Sequence, residues 1–179
     1  SVGFMLPHQP FVARRQDYDL YRDSMFLPRN PSPPLDQLHP YFQWWRQQCG
    51  IQEVSREEIL RARTAYWALV TRMDLMIGEI LQALERNDLQ RNTLILYTSD
   101  HGEQVGEHGL WWKQTFYEDS VRVPAILSWP EVLPRGRRCA RVADLFSPQV
   151  QRPLQLPRDR LQHPRPLVIV AFVLHPVVL

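Results

Sequence analysis

An α/β fold is predicted for this 179-residue chain by three observations. A long amphipathic helix is announced at Ser55, where Ser55-Arg56-Glu57-Glu58 has the form of a capping box: the hydroxyl satisfies a free amide while Glu58 reaches back. An apolar run, Leu94–Thr98, follows as a buried strand. A second short run, Ala125–Trp129, is bounded by Pro124 and Pro130. A long helix feeding such a strand is one half of a layered helix-on-sheet arrangement.

Taken in order, residues 1–54 read as loop-rich, because Pro7, Pro10, Pro28, Pro31, Pro33, Pro34 and Pro40 forbid long helices. A short helix over Gln37–Gln48 fits between them. Its aromatic cluster, Tyr41, Phe42, Trp44 and Trp45, is expected in the core, with carbohydrate stacking as the alternative. From Ser55 onward, Ile59, Ala62, Tyr66, Leu69, Met73, Met76, Ile80 and Leu84 recur at three- and four-residue steps, one stripe ending near Asn87. Asp74 lies beside that stripe and is expected to make a structural hydrogen bond. After about Phe146 six of the sixteen prolines and four arginines crowd together. Residues 147–179 are therefore expected to be a poorly ordered tail, foreign to the domain over 1–146.

The bulk numbers exclude some classes. The net charge is +2, but the tail carries +3 and residues 1–146 carry −1, so there is no electrostatic footprint for nucleic acid. The longest apolar stretch, Leu167–Leu174, is far short of the ~20 residues of a membrane helix. No nucleic-acid or membrane partner is expected. Cys49 and Cys139 form no metal-ligand pattern and are expected to be unpaired thiols.

Chemistry concentrates after the first strand. Asp100-His101 closes it and Gly102 follows at once, so an acid and an imidazole can converge on one cation only where the backbone turns. A hydrogen-bonded turn is the plain alternative. Three of the seven glycines fall between 102 and 109, implying tight turns or close backbone approach. Lys113, thirteen residues past Asp100, could return to that site and neutralise an anion as a point charge; otherwise it is a solvated lysine. His8, clamped in Pro7-His8-Gln9-Pro10, could act as a general acid, or simply sit in a proline loop.

Together these segments resemble the sulfatase family of the alkaline phosphatase superfamily. The resemblance rests on Gly3-Phe4-Met5-Leu6-Pro7-His8-Gln9-Pro10-Phe11, on Tyr66, Ala68, Asp74, Ile77, Gly78 and Leu81, and on Thr98-Ser99-Asp100-His101-Gly102 followed by Gly106-Glu107-His108-Gly109 and Lys113. The last of these runs resembles that of choline-sulfatase-like and iduronate-sulfatase-like members, and Phe116-Tyr117-Glu118 and Arg122-Val123-Pro124 fit as well. The resemblance implies an alkaline-phosphatase-like sandwich, a mixed sheet between helices, present here as a partial domain over residues 1–146. It implies that Asp100 and His101 ligate a divalent cation, Ca²⁺ or else Mg²⁺ or Mn²⁺. Lys113 and His8 would bind the sulfate ester of a small sulfated substrate, and His8 would protonate the leaving alcohol. His108 would shape the loop.

The departures are as specific. The family carries its formylglycine nucleophile in C-x-P-S-R or S-x-P-S-R, and neither Cys49-Gly50-Ile51 nor Cys139-Ala140-Arg141 fits. The paired aspartates and the K-x-H segment are missing too. Because these lie N-terminal to the PHxPF segment in relatives, the chain is expected to be a fragment, inactive by itself. Ala143-Asp144-Leu145-Phe146 begins a family-like stretch that Ser147-Pro148-Gln149 abandons, as a shifted reading frame or mispredicted gene end would. The alternatives to a sulfatase fragment are a phosphonate monoester or phosphodiester hydrolase of the same superfamily, or a non-catalytic remnant.

Overall fold

The computed structural model describes residues 1–130 and 132–138, and the backbone of a strand at 168–174. Four strands form one mixed sheet: β1 (Val2–Phe4), β2 (Thr93–Ser99), β3 (Ala125–Ser128) and β4 (Val168–Leu174), in the order β1-β4-β2-β3. β4 runs parallel to both β1 and β2, pairing Val2 with Phe172 and Tyr97 with Phe172. β3 runs antiparallel to β2, with Ile95 opposite Ser128 and Thr98 opposite Ala125.

Among the described residues four α-helices accompany the sheet: α1 (Arg15–Asp19), α2 (Pro40–Gln48), α3 (Arg56–Arg86) and α4 (Glu118–Val121). α3 starts where the capping box places it. The Ser55 hydroxyl accepts from the Glu58 N–H at 3.2 Å, and the Glu58 carboxylate accepts from the Ser55 N–H at 2.9 Å. It ends at Asn87, whose N–H reaches Ala83 O and whose side-chain amide caps the same carbonyl. Its apolar stripe lies on the sheet: Met73 and Phe4 form the buried centre, with Val2, Leu6, Met76, Ile77, Ile80, Ile95 and Tyr97 packed around them. The side chains Ile95 and Tyr97 alternate onto one face of β2, as a strand's period of two requires.

Several expectations need correction. β2 is half-buried rather than buried, with only Thr93 fully enclosed, although α3 packs against Ile95 and Tyr97 on one face. The four residues of β3 are all exposed. β1 lies in the segment read as loop; three residues are too few to show a period-two pattern. Asp74 is exposed and makes no hydrogen bond among the described residues. The aromatic cluster of α2 is split: Phe42 stacks on Tyr117 and Trp45 meets Trp112 edge-on, whereas Tyr41 and Trp44 face outward.

Within the expected tail, Val168–Leu174 forms strand β4, between β1 and β2. Its continuous β-branched and aromatic run suits a strand flanked on both sides. Residues 139–167 and 175–179, Cys139 included, lie outside the described residues, as does Glu131. Cys49 is free. No described helix is long and apolar enough to cross a membrane.

Candidate active site

The carboxyl end of β2 opens into a cleft of about 490 Å³ whose walls include His8, Tyr66, Asp100, His101, Glu103 and Arg122. Strand ends are where ligand sites collect in α/β sheets. Gly102 makes the turn possible. Its N–H donates to Ser120 O at 2.7 Å, and a Cβ there would stand 1.9 Å from Asp119 O, so no larger residue fits between β2 and α4.

This turn aims Asp100 and His101 at one point. The Asp100 Oδ1 accepts from the His101 N–H at 3.0 Å, and the Ser99 hydroxyl donates to His101 O at 2.7 Å. His101 Nδ1 lies 2.8 Å from Gly102 O. A carbonyl only accepts, so Nδ1 carries the hydrogen and Nε2 presents a lone pair. That Nε2 is buried without a hydrogen-bond partner and stands 3.4 Å from Asp100 Oδ2. A lone pair facing a carboxylate oxygen is relieved either by a proton on the ring or by a metal cation between the two. Donors about 2.3 Å from one ion and at right angles stand about 3.3 Å apart, so the pair suits a divalent cation. Among the described residues no third His, Cys, Asp or Glu completes a cluster with them.

His8 and Lys113 meet across the fold. The Lys113 ammonium donates to His8 Nε2 at 2.8 Å, while His8 Nδ1–H donates to Gln9 O at 2.7 Å. Lys113 is delivered by a loop folded back on itself: Gln104 N–H donates to Trp112 O at 2.9 Å, and Gly106 N–H to Leu110 O at 2.9 Å. Glu103 ties the same loop, accepting from the Val105 and Trp112 N–H groups. Burial raises the Glu103 carboxyl above the usual range, opposed by those N–H groups and by the nearby Lys113 and His101. The four residues singled out in the sequence thus divide into two touching pairs, and His8, Asp100 and His101 line a single cleft.

Sequence reasoning missed the interior that holds the loop. Gln104 is fully buried and its amide donates to Thr115 Oγ1 at 2.9 Å and Ser120 Oγ at 2.7 Å, linking the loop to α4. Arg63, buried on the apolar stripe of α3, donates to Val105 O at 2.8 Å and Glu107 Oε1 at 3.3 Å, with its guanidinium over Phe26 and Trp67. Glu107 in turn accepts from the backbone N–H groups of Arg29 and Asn30 at 3.1 and 2.8 Å. His108 stacks on Tyr117 with ring centroids 4.1 Å apart, in left-handed backbone (φ 57°). A lone arginine interrupting an apolar stripe was the one signal that could have exposed this network.

The family model for sulfatases matches residues 1–151. The chain belongs to the sulfatase family. Among curated relatives of this sulfatase-family chain, choline-sulfatase of Rhizobium meliloti (strain 1021) is 41% identical over 137 residues, 75% of this chain and 27% of that protein. Iduronate 2-sulfatase of Mus musculus is 34% identical over 144 residues, 73% of this chain and 26% of that one. The chain therefore spans about a quarter of the length of these relatives. Among solved structures, the phosphonate monoester hydrolase SpPMH from Silicibacter pomeroyi superposes with a TM-score of 0.62 at 29% identity, covering 72% of this chain and 28% of that one. The helix-and-sheet layers are thus those of the sulfatases and their phosphonate-cleaving kin.

Proposed function

We propose that this chain carries the leaving-group side and part of the metal shell of a sulfuric ester hydrolase. The observation that carries the reading is the meeting of His8 with Lys113 beside the cleft into which Asp100 and His101 converge. Cleavage of a sulfate monoester throws negative charge onto the bridging oxygen while the sulfuryl oxygens keep theirs. With an ester bound, the Lys113 ammonium would turn from His8 Nε2 to a sulfuryl oxygen as a point charge, and His8, its Nε2 freed to take up a proton from water, would donate that proton to the departing alcohol. The Gln9 carbonyl keeps the ring oriented through Nδ1–H. Asp100 Oδ2 and His101 Nε2 would hold a divalent cation, Ca²⁺ or else Mg²⁺ or Mn²⁺, which when bound stabilises charge on the sulfuryl oxygens. The parent enzyme would attack with a formylglycine, for which these 179 residues contain no C-x-P-S-R or S-x-P-S-R. A phosphonate monoester or phosphodiester substrate is the second reading, supported by the likeness to SpPMH.

The test uses Mn²⁺ as a paramagnetic probe of the purified chain. Selective broadening of the His101 ring resonances, abolished by Asp100→Asn, is expected. Equal broadening in the Asp100→Asn chain would remove the metal pair from the proposal.

A further inference from the structure

Two tyrosines at α3, Tyr21 packed on it and Tyr66 carried by it, are treated differently. Tyr21, from the segment after α1, packs back on this helix and exchanges a hydrogen bond with Thr71 Oγ1 at 2.6 Å. Tyr66, on α3 itself, has no hydrogen-bond partner among the described residues, yet its hydroxyl is not sealed in the interior, and the residue lines the cleft with His8, Asp100 and His101. A tyrosine pairs an apolar ring with a polar tip, and a tip that opens to a cleft keeps its O–H for water or a ligand. The ring is held on two sides, by Phe11 edge-on at 5.5 Å and 76° and by Trp67 at 5.5 Å and 64°. A rigid ring with an uncommitted O–H at a cleft wall is a donor waiting for an acceptor from outside the chain.

We infer that Tyr66 is a substrate-binding residue of this cleft, its hydroxyl donating a hydrogen bond to an oxyanion held beside His8, Asp100 and His101. The inference rests on the sulfuric ester reading and adds a contact to it. Burial and the neighbouring carboxylate of Glu103, with Tyr97 behind, hold the phenol well above its ordinary range, so the proton stays on the oxygen through alkaline pH. An ionised tyrosine would repel the anion; this one keeps its donor. Because the oxygen is carried on a 31-residue helix rather than on a loop, its position is set before the ligand arrives.

Inorganic sulfate is the probe, titrated in Ca²⁺-containing buffer into the purified chain carrying ¹³Cζ-labelled tyrosine. The Tyr66 resonance is expected to move with the same saturation curve as the His8 ring. Tyr66→Phe, which keeps the ring between Phe11 and Trp67, is expected to weaken sulfate binding about tenfold, the scale of a lost hydrogen bond to a charged group. Tyr21→Phe is expected to leave binding unchanged. Wild-type sulfate affinity in Tyr66→Phe, alongside loss of binding in Lys113→Met, would overturn this inference and leave the functional reading standing. Absence of sulfate binding by the unmodified chain would overturn both.

Discussion

Lys113 Nζ reaches His8 Nε2 at 2.8 Å, joining residues 105 positions apart, while the other imidazole nitrogen is taken by Gln9 O. Both nitrogens of His8 are thereby committed, and the ring has one orientation and one tautomer. The loop between Gly102 and Lys113 is therefore as much a device for holding His8 as for presenting a cation.

Lys113→Met removes the donor and keeps the stem. The ¹⁵N resonances of the His8 ring are expected to change at Nε2 and to hold at Nδ1. Sulfate affinity is expected to fall about tenfold or more, as for a charge-assisted hydrogen bond. Unchanged Nε2 would show that the contact is not populated in solution.

Two glycines should respond in opposite directions. Gly102→Ala places a methyl 1.9 Å from a backbone oxygen and is expected to destabilise by about 1–3 kcal/mol in urea unfolding. Gly78→Ala, on α3 with nothing within 4 Å, is expected to stabilise by about 0.5–1 kcal/mol.

Glu107 makes acid stability predictable. Burial pushes its carboxyl up, but the N–H groups of Asn30 and Arg29 and the Arg63 guanidinium outweigh it and leave it below the usual range. A carboxyl lowered by folding stabilises fully above its unfolded value, and that contribution disappears as pH falls through the lower folded value. Unfolding midpoints should therefore drop on acidification below about pH 4.5. Glu107→Gln should flatten that dependence and cost about 3 kcal/mol at neutral pH, since Arg63 is left 3% exposed without its carboxylate. A near-neutral Glu107→Gln would mean that Arg63 finds another acceptor.

The purified chain is expected to hydrolyse no aryl sulfate, because neither Cys49 nor Cys139 sits in a nucleophile motif. Turnover of p-nitrophenyl sulfate that is lost in His8→Ala would contradict this.

Periodic and punctuated features were legible in the sequence. The capping box at Ser55 and the stripe through Met73 located α3 to within a residue, and the apolar run before Asp100 located β2. The glycine density after residue 101 pointed correctly to a close approach at Gly102. What escaped depends on partners far away in the chain. Arg63 and Glu107 are polar residues whose burial follows only from their meeting, and Gln104 becomes interior only when α4 closes over it. The exposure of Tyr41 and Trp44 could not be read from α2 alone, because which side of a short helix is covered is decided by the loop that packs on it.

Strand β4 bonds to β1 on one side and β2 on the other, and those two do not bond to each other. A segment distant in sequence from both therefore stands between the strand that carries Phe4, four residues ahead of His8, and the strand that ends at the Asp100–His101 turn. β1 and β2 can be joined only after a segment 170 positions from the first of them has been placed, and such long-range closure is slow and leaves strand edges open to mispairing meanwhile.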